Sequence, residues 1–238
     1  MPRAPRALPF RPLLAVLTPL LLLPALAACD KDEAGPGPDT SLPDGAALIS
    51  ESATAMNDVD TVHIVLDIDP AIGALPIERA EGDLRREGDA KGSIQLLAGA
   101  QLIEVGFVIV GRDAFLKYPT GGWQKATGIT SFYDPSAILD PNRGVANLLK
   151  TSTNAKTDGS EQIGGVDTWR VKVDINKAAA NTLVPGVPDG LTGTVWLDKQ
   201  SKRLVKAIVN APATGSSPAS TITLSLTNFD APVTVSAP

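Results

Sequence analysis

The feature that most constrains the fold of this chain is an alternation of period two that recurs along most of its length. In TVHIVLDID (61–69), Val62, Ile64, Leu66 and Ile68 alternate with His63, Val65, Asp67 and Asp69. Successive side chains of an extended strand point to opposite faces, so this pattern makes one apolar face and one wet face. STITLSLTNF (220–229) repeats it, with Ile222, Leu224 and Leu226 set against Thr221, Thr223, Ser225 and Thr227. In ERAEGDLRRE (78–87), Ala80, Gly82 and Leu84 face one way and five charged residues the other. DAKGSIQLLAG (89–99) places Ala90, Gly92, Ile94 and Leu96 on the inner side. QLIEVGFVIVG (101–111), with Val105, Phe107 and Ile109, is apolar on both faces, which predicts a strand covered on both sides.

Further strands are expected at DAFLKYP (113–119), VDTWRVKVDI (166–175) with Val171 and Val173, TGTVWLDKQ (192–200), and RLVKAIVNA (203–211) with Val205 and Val209. So many strands in near succession imply one large antiparallel sheet, strongly curved or partly rolled. AALISESATAM (46–56) carries Ile49, Ala53 and Met56 on one stripe and reads as an amphipathic helix. DPSAIL (134–139) and DPNRGVANLLK (140–150) each begin Asp-Pro, a cap followed by a first helical position, and NKAAANTLV (176–184) predicts a third helical piece. The class is α+β, a large curved antiparallel sheet with helices over one face. Small residues fall on the inner face at Gly82, Gly92, Gly193, Ala80, Ala90 and Ala207. They would either leave room for a guest or let helices pack close, and the sequence leaves both open.

The amino-terminal segment has its own logic. Arg3, Arg6 and Arg11 precede an apolar run from Leu13 to Leu23, the arrangement of an export signal. That run is shorter than the roughly 20 residues a bilayer span needs, and Pro19 and Pro24 interrupt the region. It leads to Leu26-Ala27-Ala28-Cys29, where Cys29 is the only cysteine. The tetrapeptide resembles the bacterial lipobox, whose cysteine receives a diacylglycerol before cleavage on its amino side. Three parts are therefore expected: a lipoprotein signal peptide (1–28), a lipidated Cys29 with a Pro-, Gly- and Asp-rich tether (29–45), and a single domain (46–238).

Signals of chemistry are sparse. The net charge of -5, with basic residues scattered among acids, argues against a nucleic-acid partner. No P-loop, Gly-x-Gly-x-x-Gly, Cys-x-x-Cys, His-Glu-x-x-His or Gly-x-Ser-x-Gly pattern is present. His63, the only histidine, lies mid-strand on the wet face with no nucleophile motif to serve. Asp67 and Asp69 share a strand face without a third oxygen ligand at a recognisable spacing. Trp123, Trp169 and Trp196 form no spaced ladder for stacking on sugars or bases. No enzyme, metal or cofactor is expected from these residues.

Several segments together resemble one family. WQKATGITSFYDPSAILDPNRGVANLL (123–149), GTVWLDKQSKRLVKAIV (193–209) and TLSLTNFDAPVTVSAP (223–238) are similar to the actinobacterial LprG/LppX/LprA/LprF-type lipoproteins, most specifically in YDPSAILDP with GVANLL. The resemblance implies a LolA/LolB-like half-barrel whose helices cover the concave face and enclose an apolar cavity. It implies a non-enzymatic carrier for the acyl chains of diacylated or triacylated envelope lipids and lipoglycans, with lipid as cargo and no cofactor. Anchored through Cys29 on the outer face of the cell membrane, such a carrier works in the periplasm-like space, in some members with a major-facilitator efflux permease. The alternative is a scaffolding lipoprotein with a filled core. The family's cavity wall in the third strand maps onto Ile94. The expected lining then comprises Ile64, Leu66, Ile68, Leu84, Gly92, Ile94, Leu96, Val105, Phe107, Ile109, Val171, Val173, Val205, Val209, Leu224 and Leu226. ATGSSPAS (213–220) is longer than the equivalent hairpin of the relatives.

Overall fold

The structure, a computed structural model, describes residues 42–72, 77–99, 101–126, 135–215 and 217–238. The export signal, Cys29 and nearly all of the tether lie outside the described residues. The eleven strands are β1 (Thr61–Asp69), β2 (Ile77–Arg85), β3 (Ala90–Ala98), β4 (Gln101–Val110), β5 (Asp113–Lys117), β6 (Trp123–Ala126), β7 (Thr153–Ile163), β8 (Val166–Asp174), β9 (Thr192–Asp198), β10 (Leu204–Ala211) and β11 (Ser220–Thr227). They form one curved open antiparallel sheet in the order β6-β5-β4-β3-β2-β1-β11-β10-β9-β8-β7. Two consecutive meanders are thus joined where the first strand pairs with the last, with Leu66 opposite Leu224. Register shifts at Ile77/Arg79, Leu204/Lys206, Thr153/Lys156 and Thr157/Gly159 mark bulges, which bend a strand and raise the local twist.

The register sorts the sheet's side chains into rows. One row on the core face runs Val171, Val195, Ala207, Leu224, Leu66, Ala80, Ile94, Val105 from β8 to β4. Every member is aliphatic, because each strand contributes the same phase of its own alternation. A second row passes through Val173, Gly193, Val209, Ile222 and Ile68. The opposite face carries His63, Asp83 and Lys91 at matching positions. On β4, Val108 and Ile109 are both buried, so that strand is covered on both sides near its end, whereas Leu102 is 55% exposed.

Among the described residues, three short helices and a helical turn cover the core face. In α1 (Gly45–Asn57), capped by Asp44 accepting from the Ala47 N–H at 2.8 Å, the residues Leu48, Ile49, Ala53 and Met56 are buried against α2 and β7. The expected helix at 140–150 instead begins at Val145 and ends at Thr151 (α2), with Gly144 at its cap. Asp140 spends its carboxylate on a turn, accepting from the backbone N–H groups of Asn142 and Arg143. Gly144 is required there, since a Cβ would lie 2.2 Å from the Ile138 carbonyl oxygen. Residues Pro135–Ile138 form a single 3-10 turn, and α3 (Lys177–Leu183) starts as expected from Asn176, which accepts from the Ala179 N–H.

The junction of β1 and β11 is locked by Asp230. Its carboxylate accepts from the Asp60 N–H at 2.9 Å and from the Arg203 guanidinium. Burial pushes this carboxyl up, but the Asp60 and Arg203 hydrogen bonds outweigh burial and hold it below the ordinary value. A carboxyl whose folded pKa lies below its unfolded one stabilises the fold above the unfolded value, about 3.9 for aspartate, and that contribution is lost as pH falls through the folded value. Asp230→Asn is therefore expected to melt lower than the parent at neutral pH. The gap should close below about pH 4, as read by thermal melts across pH.

Candidate functional site

A cavity of about 60 Å³ lies on the core face between the middle of the sheet and the helices. Its floor is Leu66, Ala207, Val209, Ile222 and Leu224, from β1, β10 and β11. Its roof is Ile138, Val145 and Leu148 on one side, and Ile175, Ala180, Leu183, Val184 and Val187 around α3 on the other. All thirteen described lining residues are aliphatic, so none of them is titratable. Such a space binds by excluding water and fitting hydrocarbon; it supplies no acid, base or nucleophile. Among the described residues no cluster of three or more His, Cys, Asp or Glu side chains could hold a metal ion.

Of the residues expected to line a cavity, Leu66, Val209 and Leu224 do so. Ile64, Ile68, Leu84, Ile109, Val171, Val173 and Leu226 are buried in the continuous core around it, with Phe107 packed against that core. Ile94 and Leu96 are half-buried on β3, and Val105 is fully buried opposite Ile94. Val205 is displaced: the bulge in β10 pairs Leu204 with Leu197, so Leu204 takes the core position and Val205 becomes the extra residue.

The glycines do not leave room. Gly82 and Gly92 face each other across β2 and β3, and a Cβ on Gly92 would fall 2.0 Å from the Glu81 carbonyl oxygen. Over Gly193 the space is taken by Ile175, 3.0 Å from where a Cβ would be. Close approach of backbones, with a core side chain filling the one remaining gap, is what these positions require. The roof residues of α3 and Ile138 were not anticipated from the pattern of the strands. The sequence signal for α3 is the apolar run in AAANTLVPGV (178–187), and Ile138 lies in DPSAIL (134–139), one of the two segments expected to start a short helix.

His63 and Asp67 lie on the other face with their ionic partners. His63 Nδ1 is 2.8 Å from Asp83 Oδ1, and Arg79 donates to Asp67 at 2.6 Å and to Glu81 at 2.8 Å. Hydrogen bonds to Glu81 and Asp67 hold the Arg79 guanidinium above its ordinary pKa. These are half-exposed ion pairs on the face turned away from the cavity. The 212–219 connection closes through a bridge between Thr214 and Ser217 and contributes nothing to the described lining.

The LppX_LprAFG lipoprotein family matches residues 44–235, essentially the whole described body. The chain belongs to that family. Among its members, the lipoarabinomannan carrier protein LprG of Mycolicibacterium smegmatis is 32% identical over 206 residues, covering 84% of this chain and 85% of that protein. The protein of the same name from Mycobacteroides abscessus is 32% identical over 216 residues, covering 90% and 92%. The crystal structure of LprF from Mycobacterium bovis matches with a TM-score of 0.71 at 22% identity, over 82% of this chain and 96% of that one. That of Mycobacterium tuberculosis lipoprotein LppX matches with a TM-score of 0.61 at 24% identity, over 80% and 97%. The family resemblance read from 123–149, 193–209 and 223–238 is shown, and so is the α+β class with one large curved antiparallel sheet.

Proposed function

We propose that this lipoprotein is a membrane-tethered carrier that holds the acyl chains of cell-envelope glycolipids or lipoglycans against its core face and moves them across the periplasm-like space. The observation that carries this reading is the wholly aliphatic cavity set on an aliphatic row that continues to Ile94 and Val105. The name of the LprG relatives supports the cargo class. In this proposal the 29–45 segment is the tether, Cys29 is its acyl anchor on the outer face of the cell membrane, and residues from 46 onward are the single lipid-binding domain. The permease partner belongs to the same proposal.

At about 60 Å³ the cavity is well under the roughly 300–1,000 Å³ typical of ligand pockets, so a long chain enters only if the roof lifts. The roof suits this. Helices α2 and α3 are seven residues each, below the ~12–15 at which an isolated helix holds itself, so packing alone fixes their place. The apolar surface exposed when they move is covered again by the entering chain. Each methylene moved out of water gains about 0.8 kcal/mol, nearly the same in the pocket as in a bilayer, which lets cargo both load and leave.

The small volume is also what favours the second reading, a scaffolding lipoprotein with a filled core. Native mass spectrometry of the purified chain separates the two. Bound acylated lipid, reduced at least about tenfold in Ile94→Trp, where an indole takes the place of two or more methylenes of cargo, is the expected result. A chain free of lipid in parent and variant alike would favour the scaffold.

A further inference from the structure

We infer that residues 176–190, α3 with the loop that follows it, form a lid hinged at Ile175 and Leu191, and that an acyl chain enters the cavity beneath the carboxy-terminal end of α3. This rests on the carrier reading and selects one of the two roof helices as the part that moves. The position of the entrance comes from exposure. Of the described lining residues all are buried except four half-buried ones, Leu66, Leu224, Leu183 and Val184. Leu66 and Leu224 face each other across β1 and β11, and Leu183 and Val184 end α3. Solvent therefore reaches the cavity between these two pairs and not past α2, whose lining residues Val145 and Leu148 are buried. From Leu66 the core-face row runs on through Ala80 to Ile94, both half-buried, so the entrance opens onto more apolar surface.

The lid is closed on itself. Among the described residues, every hydrogen bond and ion pair that 176–190 makes stays within the segment. Asn176 Oδ1 accepts from the Ala179 N–H at 3.1 Å, and the Gly186 N–H donates to Asn181 Oδ1 at 2.8 Å. Lys177 Nζ donates to Asp189 Oδ2 at 2.8 Å, which joins the two limbs just above the neck. The neck itself is the Ile175 N–H donating to the Leu191 carbonyl at 3.0 Å. A segment satisfied internally can swing without leaving a polar group unpaired. Gly190, with φ +77, supplies a turn at the hinge that other residues seldom adopt.

Only apolar packing holds the lid down, and that packing is thin. The lid buries Ala179, Ala180 and Val187, two of them single methyl groups, whereas α2 buries Val145, Ala146, Leu148 and Leu149. α2 also packs along α1 and runs directly into β7. Local opening costs least where least apolar surface is buried, so α3 lifts and α2 stays. A chain sliding in between Leu183 and Leu224 covers the surface that lifting uncovers, and a loaded carrier therefore keeps its lid raised.

The test spin-labels the full chain, matured in an actinobacterial host, at Ala178→Cys on the exposed side of α3 together with Lys150→Cys, exposed on α2. Ala47→Cys, exposed on α1, with the same Lys150→Cys is the comparison pair, and any label on Cys29 is common to both. Distances are read by pulsed electron resonance before and after loading with dioleoyl phosphatidylinositol from vesicles, and bound lipid is weighed on the same samples. The α3–α2 distance is expected to lengthen on loading while the α1–α2 distance stays. With lipid bound, an unchanged α3–α2 distance or any change between α1 and α2 overturns the lid and leaves the carrier standing. No bound lipid in any sample overturns the carrier reading and the lid with it. At the entrance, Leu183→Asp puts a carboxylate where the chain passes and should slow uptake about tenfold or more, while Ala47→Asp keeps the parent rate. Equal uptake by these two variants, both folded by thermal melt, overturns the placement of the entrance.

Discussion

Gly92→Val is expected to destabilise the body by about 4 kcal/mol or more, at the extreme end for a single substitution. A Cβ at Gly92 would lie 2.0 Å from the Glu81 carbonyl oxygen and 2.7 Å from Gly82 Cα. Both obstacles are backbone, so no side chain can turn aside to make room. The strand pair must separate, and β3 to β6 reach the rest of the sheet only through β2. Urea unfolding followed by tryptophan fluorescence gives the measurement. Gly122→Ala serves as the reference, since nothing lies within 4 Å of a Cβ there, and it should move stability by no more than about 0.5 kcal/mol. If both variants unfold at the same denaturant concentration, the opposition of Gly82 and Gly92 is wrong.

Much of the sheet was legible because its strands carry their own period. The bounds 61–69 of β1 coincide with the alternation read from TVHIVLDID, and β11 departs from its reading by only the last two residues. The strands that escaped notice are those at the two edges. In β7, TNAKTDGSEQI buries only Thr157 and has no apolar alternation, because one flank meets solvent and polar residues protect an open edge. In β6, WQKA is four residues long and mostly exposed. The start of α2 was misplaced because Asp140-Pro141 satisfies the local rule for a helix cap, yet packing of Gly144 against the Ile138 carbonyl sets the boundary four residues later. Half of the cavity was readable in the same way. Its floor follows from strand alternation, but Ile138, Val184 and Val187 reach the roof through tertiary placement that no local period encodes. Val205 shows the limit from the other side: one extra residue in β10 moves the core position to Leu204.

Leu224→Trp is expected to cost the carrier most of its cargo. Leu224 stands in the cavity floor, paired with Leu66 on one side and Ala207 on the other, at the middle of the aliphatic row. An indole there takes the place of about three or four methylenes of an acyl chain, each worth about 0.8 kcal/mol, or roughly a hundredfold in affinity. The comparison is Thr223→Trp, one residue earlier on β11, where register with Asp67 and Ile208 turns the side chain to the opposite face. Bound lipid per chain, measured by mass spectrometry beside a thermal melt, should fall in the first variant and stay at the parent level in the second. Both variants add the same ring to the same strand, so general strain on β11 is common to them and only the face differs. Equal retention of lipid in the two would mean that acyl chains do not pass over β11, and the cavity beneath α3 would then be packing and not a path.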